Sequence, residues 1–377
     1  MARPIAGPQS LLRTLNGRAI LETLGRRGPQ TRAELMAATG LSRTAVTQVL
    51  RMLEGAGAVV PAGVDRETRG PAASRVALHP RLGVAAAVHV DRHAAHVALV
   101  DPMGVVRAEQ HAPFPLRGDR VEHITSLIDE CLLAVQAPLR LVVVGVPGIV
   151  TADGGIRDDQ GPDGGAFKAA LISRLDCPVR VENDVNLAAL AELTSGAGAE
   201  LSSFALLLLD DGLGGGIVID GMLHRGFSGV AGEVMYLPQT PLPIGAPVLG
   251  DAVVGDLALT NGRDPSLTLD QHLDAAAAGD EAALAMAAEM GRRITLVAGS
   301  VALVLDPEAF VLSGSAAHPV LVDAVQSVAD AYAAQLPMRF LVSSFGPEAP
   351  LVGAIGEAAS ALRTTVFSSV LPDRSSR

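Results

Sequence analysis

Lysine is all but missing from this chain: of 29 basic residues one, Lys168, is a lysine and the rest are arginines. That imbalance fits GC-rich coding and excludes nothing about function. Cysteine is as scarce. Cys131 and Cys177 stand in unrelated contexts, which argues against a disulfide framework and fits a reducing cytoplasm. No apolar run approaches the roughly 18 residues that a bilayer span needs. The opening stretch, MARPIAGPQSLLRTLNGR, has no apolar h-region, so no secretory signal and no membrane partner are expected. Low-complexity tracts are also lacking.

What is present is apolar mass, 49% of 377 residues, enough for two or three compact units. The net charge of −11 is unevenly spread. Residues 1–80 hold 11 arginines against 5 acids, a balance of +6. Residues 81–377 hold 18 basic and 35 acidic residues, a balance of −17. A short basic unit on a long acidic one points to a polyanion-binding module carried by a larger body.

The basic unit has its own punctuation. Leu11, Leu15, Ile20 and Leu24 predict a helix over about 10–26, ended by Gly28-Pro29. "TRAE" at 31–34 is a capping box, with Thr31 and Glu34 serving each other's backbone. The helix it starts stops at Gly40, and Ser42 caps a third. On that third helix Val46, Val49, Leu50 and Leu53 form one apolar face. Arg43, Thr44, Thr47, Gln48 and Arg51 fall off it, near the end that a helix-turn-helix presents to the major groove. Strands at about 58–62 and 74–78 flank a polar loop with Arg66, Arg69 and Gly70, the pattern of a wing. Residues 1–80 are therefore expected to bind double-stranded DNA. Arg43, Thr44, Thr47 and Gln48 would read bases, while Arg51, Arg66 and Arg69 would meet phosphates. A plain three-helix bundle would share the helices but explain neither the wing nor the charge.

From residue 81 strands alternate with helices, the pattern of an α/β body. Hairpin strands run through 83–106 and a helix is predicted over 121–135. "LRLVVVGVPGIV" is a buried strand into a turn, and "CPVRVENDVNLAALAEL" is strand, polar turn and helix. "LLLLDDGLGGGIVIDG" is a second hairpin; a long helix over 281–305 precedes another strand and glycine turn in "DPEAFVLSGSAA". The Pro-rich stretch 237–250 is expected to be loop.

These motifs together resemble the ROK family of bacterial sugar kinases and their repressor relatives. "VENDVNLAALAE" resembles its E-N-D-x-N motif, and "GLGGGIVIDGMLHRGFSGVAGEV" its signature segment. The resemblance covers nearly the whole chain. It implies a two-lobed actin-like ATPase fold behind a winged helix-turn-helix, with residues 81–377 binding an effector and assembling a homodimer or homotetramer. It also implies a sugar-like ligand held by Asn183, Asp184 and Glu233, with Tyr236 standing where the family carries a histidine. Asp184 matches the family's catalytic base. The phosphate side departs from the pattern. "DRHAA" at 91–95 replaces Asp-x-Gly-Gly-Thr, Asp210-Asp211-Gly212 replaces Gly-Thr-Gly, and Ser313-Gly314-Ser315 alters the third glycine cluster. Two unit charges about 4 Å apart repel by ~4 kcal/mol at an effective dielectric of ~20 before screening, so carboxylates here oppose a triphosphate. Hence no kinase activity and no cofactor are expected. Met235-Tyr236 in place of Gly-His, without a cysteine-rich loop, predicts no zinc, and His224 is expected to be a surface histidine. The expected function is a cytoplasmic transcriptional regulator, a repressor of carbohydrate-related genes. A sugar kinase with a regulatory domain, and an effector-independent DNA-binding dimer, are the alternatives.

Overall fold

The computed structural model describes residues 9–65, 73–115, 119–157, 164–239, 242 and 245–371. Its N-terminal head contains α1 (Gln9–Arg27), α2 (Arg32–Thr39) and α3 (Arg43–Gly55). The capping box forms: Thr31 Oγ1 accepts from the Glu34 N–H, and Glu34 Oε2 accepts from the Thr31 N–H at 2.7 Å. Gly40 closes α2 in the left-handed region at φ 69°, and Ser42 Oγ caps α3 by accepting from the Ala45 N–H. Val46, Val49, Leu50 and Leu53 are buried, as their spacing requires. Strands β1 (Gln30–Thr31), β2 (Val59–Asp65) and β3 (Ala73–Leu78) make an antiparallel sheet in the order β1-β3-β2. Arg66, Arg69 and Gly70 lie outside the described residues. Helix α1 departs from expectation in one respect. Its buried face is Ile20, Leu21 and Leu24, while Leu15 is 52% exposed. Leu15 and Leu24 are nine residues apart, about half a revolution on a helix, so one face cannot hold both.

The first lobe of the body is a five-stranded sheet, β10-β7-β4-β5-β6. Its strands are β4 (Val84–Val90), β5 (Ala94–Val100), β6 (Val106–Pro113), β7 (Leu139–Val146) and β10 (Val179–Asn183). Between them come α4 (Arg120–Val135), a small ribbon β8 (Ile149–Val150) and β9 (Ile156–Arg157), and α5 (Gly164–Leu175); α6 (Asp184–Ser195) follows β10. The second lobe repeats the mixed pattern as β13-β12-β11-β14-β15. Here β11 (Phe204–Leu209) and β12 (Leu213–Ile219) form the predicted hairpin, extended by β13 (Met222–Leu223). Helices α7 (Asp251–Thr260), α8 (Leu269–Ala277) and α9 (Glu281–Leu305) lead to β14 (Ala309–Gly314), α10 (Pro319–Tyr332) and β15 (Phe340–Val342). All six residues of β11 are buried, which suits a central strand covered on both faces.

The last helix, α11 (Ala349–Val370), returns to the first lobe, lying on β4 and β7 and alongside α6. Contact with α6 is close because Gly353 has no side chain; a Cβ there would fall 1.9 Å from the Leu187 carbonyl oxygen. At its far end Leu371 packs on Gly17 of α1, and the Arg18 guanidinium lies 5.9 Å from the centre of the Phe367 ring. One apolar cluster therefore runs from Leu21, Leu50 and Val76 of the head, through Phe367 and Leu362, to Ala85 and Val143 of the sheet.

Candidate functional site

On the head, Arg43, Thr44, Gln48 and Arg51 are exposed on α3. Thr47 is half-buried, and its hydroxyl donates to the Arg43 carbonyl at 2.8 Å. Its oxygen can still accept, but its proton is engaged within the helix. The capped α3 thus projects a cationic and amide-bearing surface opposite its apolar face.

In the body, two turns meet across the lobes. Between β4 and β5, Asp91 Oδ1 accepts from the N–H groups of His93 and Ala94, both at 2.6 Å. The carboxylate takes up backbone donors that a glycine turn would aim at phosphate. Facing it, the β11–β12 turn carries Asp210 and Asp211. Arg92 Nε donates to Asp211 Oδ2 at 2.8 Å, and Arg92 Nη1 reaches Asp251 Oδ2, at the start of α7, at 3.4 Å. The Arg92 carbonyl accepts from Arg120 Nη2 at 3.1 Å, which fixes this turn to α4. Beside the pairs lies a cavity of about 430 Å³ whose walls include His93, Asp210, Asp211, Asp270 and Ser315. Burial raises the Asp210 carboxyl above its ordinary pKa, and Asp211 and Asp91 push the same way. Burial also raises Asp211, against the opposing pull of Arg92. The cleft is rich in negative charge and bridged by one guanidinium.

The expected ligand residues lie deeper. Asn183 caps α6: its Oδ1 accepts from the Asn186 N–H at 2.9 Å, and its Nδ2 donates to the Gly148 carbonyl at 3.0 Å. Both ends of that amide are engaged in joining α6 to the turn after β7. Asp184 opens α6 and accepts from the Val185 N–H at 2.8 Å. Burial lifts its pKa to about 7, with the Asp210 and Glu233 carboxylates adding to the effect. Burial raises Glu233 as well. Tyr236 is 45% exposed, on the short turn Val234–Tyr236. The structure thus brings Asp184, Glu233 and Asp210 within electrostatic reach, while none of Asn183, Asp184, Glu233 and Tyr236 lines the 430 Å³ cavity.

Two neighbours carry no individual signal in the sequence. Arg92 sits in a stretch notable for its missing glycines. Glu182, the first letter of the END motif, accepts from the Asn183 N–H and from Asn186 Nδ2, both at 3.0 Å, and pairs with Arg225 Nε at 2.7 Å. His224 is exposed, and Cys131 and Cys177 are buried free thiols. Among the described residues no group of three or more His, Cys, Asp or Glu side chains is arranged to hold a metal. Nor is any helix among them long and apolar enough to cross a membrane.

A winged helix on a two-lobed, actin-like sugar-kinase fold defines the class. Residues 85–245 match the ROK family model, and residues 13–60 match a winged helix-turn-helix DNA-binding model. The chain belongs to the ROK family. It is 29% identical over 245 residues to the DNA-binding transcriptional dual regulator NagC of Escherichia coli, covering 63% of this chain. That match spans only 60% of NagC's length. Among solved structures, a ROK family transcriptional regulator, a homolog of the E. coli MLC protein, superposes with a TM-score of 0.70. Identity is 20%, over 96% of this chain and 100% of that one. A ROK glucokinase from Streptomyces griseus, in complex with glucose and AMPPNP, gives a TM-score of 0.60 at 22% identity. It covers 73% of this chain and 99% of the kinase, so the body shares its fold.

Proposed function

We propose that this protein is a DNA-binding transcriptional regulator, a repressor of carbohydrate-related genes, with residues 1–80 as DNA-binding domain and 81–377 as effector-binding and oligomerisation domain. The single observation that carries this reading is the capped α3, with Arg43, Thr44, Gln48 and Arg51 exposed on a head of balance +6. Its natural partner is a polyanion with a groove wide enough for a helix. A homodimer would place two such helices on successive half-sites, and the wing arginines 66 and 69 would add phosphate contacts.

The body does not work as a kinase on this reading. Phosphoryl transfer rests on positioning and on charge stabilisation of the phosphates. Here Asp210, Asp211 and Asp251 line one cavity, with Arg92 committed to two of them, and such a lining disfavours a triphosphate. A sugar-like ligand instead meets Asp184, Glu233 and Tyr236, and its binding is felt at the head through α6 and α11. A ligand that favours one lobe arrangement shifts the population and alters half-site spacing.

The test is fluorescence anisotropy with DNA from the protein's own promoter region, with and without a panel of sugars. Salt-dependent, sequence-selective binding released by one sugar is the expected result. ADP release with any hexose, abolished in Asp184→Asn, would favour the kinase reading.

A further inference from the structure

A second cavity, of about 330 Å³, lies along β10, the outermost strand of the first lobe's sheet. Its walls come from α5, β10, the loop 225–229, the turn after β8 and one residue of α11. Three cations line it, Lys168, Arg180 and Arg225, against two carboxylates, Glu182 and Glu357. That excess of positive charge stands out in a body whose balance is −17. Two of the cations are held in place. Lys168 Nζ donates to the Asp153 carbonyl at 2.6 Å, and Arg225 pairs with Glu182 at 2.7 Å. Arg180 is exposed, and its guanidinium has no hydrogen bond or ion pair among the described residues.

Gly154 and Gly229 lie in its walls. A Cβ on Gly154 would fall 2.6 Å from Lys168 Nζ, and one on Gly229, at φ 83°, would fall 2.1 Å from the Val150 carbonyl oxygen. Phe227, on the same loop, is fully exposed. An unsupported aromatic ring lining the same cavity as an uncommitted guanidinium fits a ligand that has an apolar ring face and an anionic group.

We propose that this groove binds a small ring-bearing organic anion, a phosphate monoester or a carboxylate, at a site separate from the cleft ligand. The anion meets Arg180 and Lys168 and competes with Glu182 for Arg225, while the ring covers Phe227. Glu182 also accepts hydrogen bonds from Asn183 and Asn186, at the start of α6, and Glu357 belongs to α11. Occupancy therefore acts on both helices that lead to the head.

Isothermal titration of the full chain with glucose 6-phosphate, glucuronate, inorganic phosphate and glucose tests this. Saturable binding of glucose 6-phosphate or glucuronate is expected, and which of the two binds identifies the anionic group. Arg180→Ala and Phe227→Ala should each weaken it about ten-fold, while Glu233→Gln leaves it unchanged. Arg180 and Phe227 are exposed, so both variants should keep the wild-type Tm. The proposal is overturned if neither ring-bearing anion saturates at millimolar concentration. It is equally overturned if affinity survives both surface substitutions, or if inorganic phosphate binds as tightly as the ring-bearing anions.

Discussion

Arg92 of the first lobe and Asp211 of the second meet at 2.8 Å, joining the β4–β5 turn to the β11–β12 turn. The pair ties these two turns to each other across the lobes. Both side chains keep some solvent exposure, so the pair contributes no more than about 1 kcal/mol to stability. Its larger consequence is local. Arg92→Ala removes the contacts to Asp211 and Asp251 together, leaving three carboxylates around the turn without a cation. Amide exchange at residues 210–212 and 250–252 is expected to quicken while the global Tm moves by only a few degrees. AMPPNP should bind neither form, because the variant cleft is the more negative. Unchanged exchange at those amides would mean that the lobes are held without this pair.

Two glycines of α11 should answer oppositely to the same change. At Gly353 a Cβ would run into the Leu187 carbonyl, whereas at Gly356 nothing lies within 4 Å. Gly353→Ala must push α11 off α6, a strain of about 1–3 kcal/mol. Gly356→Ala gains helix propensity of up to about 1 kcal/mol. Thermal unfolding is thus expected to separate the two variants by several degrees. If the ligand signal travels from α6 to the head through α11, Gly353→Ala should also lose the sugar response of DNA binding while Gly356→Ala keeps it. Equal responses in both would rule out that route.

Local rules made much of this legible in the sequence. The Thr31–Glu34 box, the Ser42 cap, the apolar face of α3 and the β11–β12 hairpin are short-range patterns, and each forms as its residues dictate. Long-range relationships were not legible. Arg92 and Asp251 are 159 positions apart, and no periodicity links them. Strand β1 is two residues long, too short to leave a pattern, and exists because β3 pairs with it. Helix α7 follows a Pro-rich stretch that reads as loop, and its buried residues Val254, Leu257 and Ala258 give only one turn of helical spacing. Asn183 is implied by the resemblance as a ligand contact, and in the fold its Oδ1 caps α6.

Charge and sequence reading should separate on α3. Arg51 is exposed about two turns into the capped helix and is suited to a phosphate, so Arg51→Ala should weaken all DNA sequences alike and lower the salt slope by about one. Gln48→Ala instead should cost about 1–3 kcal/mol on the preferred site only, relaxing selectivity with little change in slope. Anisotropy titrations at several salt concentrations, on specific and scrambled duplexes, tell these apart. The assignment fails if the two substitutions behave identically.

Asp184 should take stability away as pH rises through the acid range, opposite in sense to His89, which burial holds down at about 4 and which adds stability as pH rises from about 4 to its unfolded value. The Asp184 carboxyl has a pKa of about 7 in the fold because burial opposes its ionisation. In the unfolded chain it titrates near 3.9. Between those values this group binds more proton in the folded state than in the unfolded one, so its contribution to unfolding free energy declines as pH increases from about 4 to about 7 and is level beyond. Asp210, Asp211 and Glu233 are also raised, chiefly by burial, and act in the same sense. Glu289 opposes them. Hydrogen bonds from Arg292 and Arg293 hold it down to about 2, so its stabilisation is present above the ordinary glutamate range and is lost as pH falls toward 2. Asp184→Asn removes the largest of the destabilising ionisations without changing shape. It should leave stability near pH 4 unchanged and raise it near pH 8, by an amount on the order of a few kcal/mol. Urea unfolding of both proteins at the two pH values measures this directly. A variant no more stable than wild type at pH 8 would show that Asp184 ionises in the fold as freely as in water.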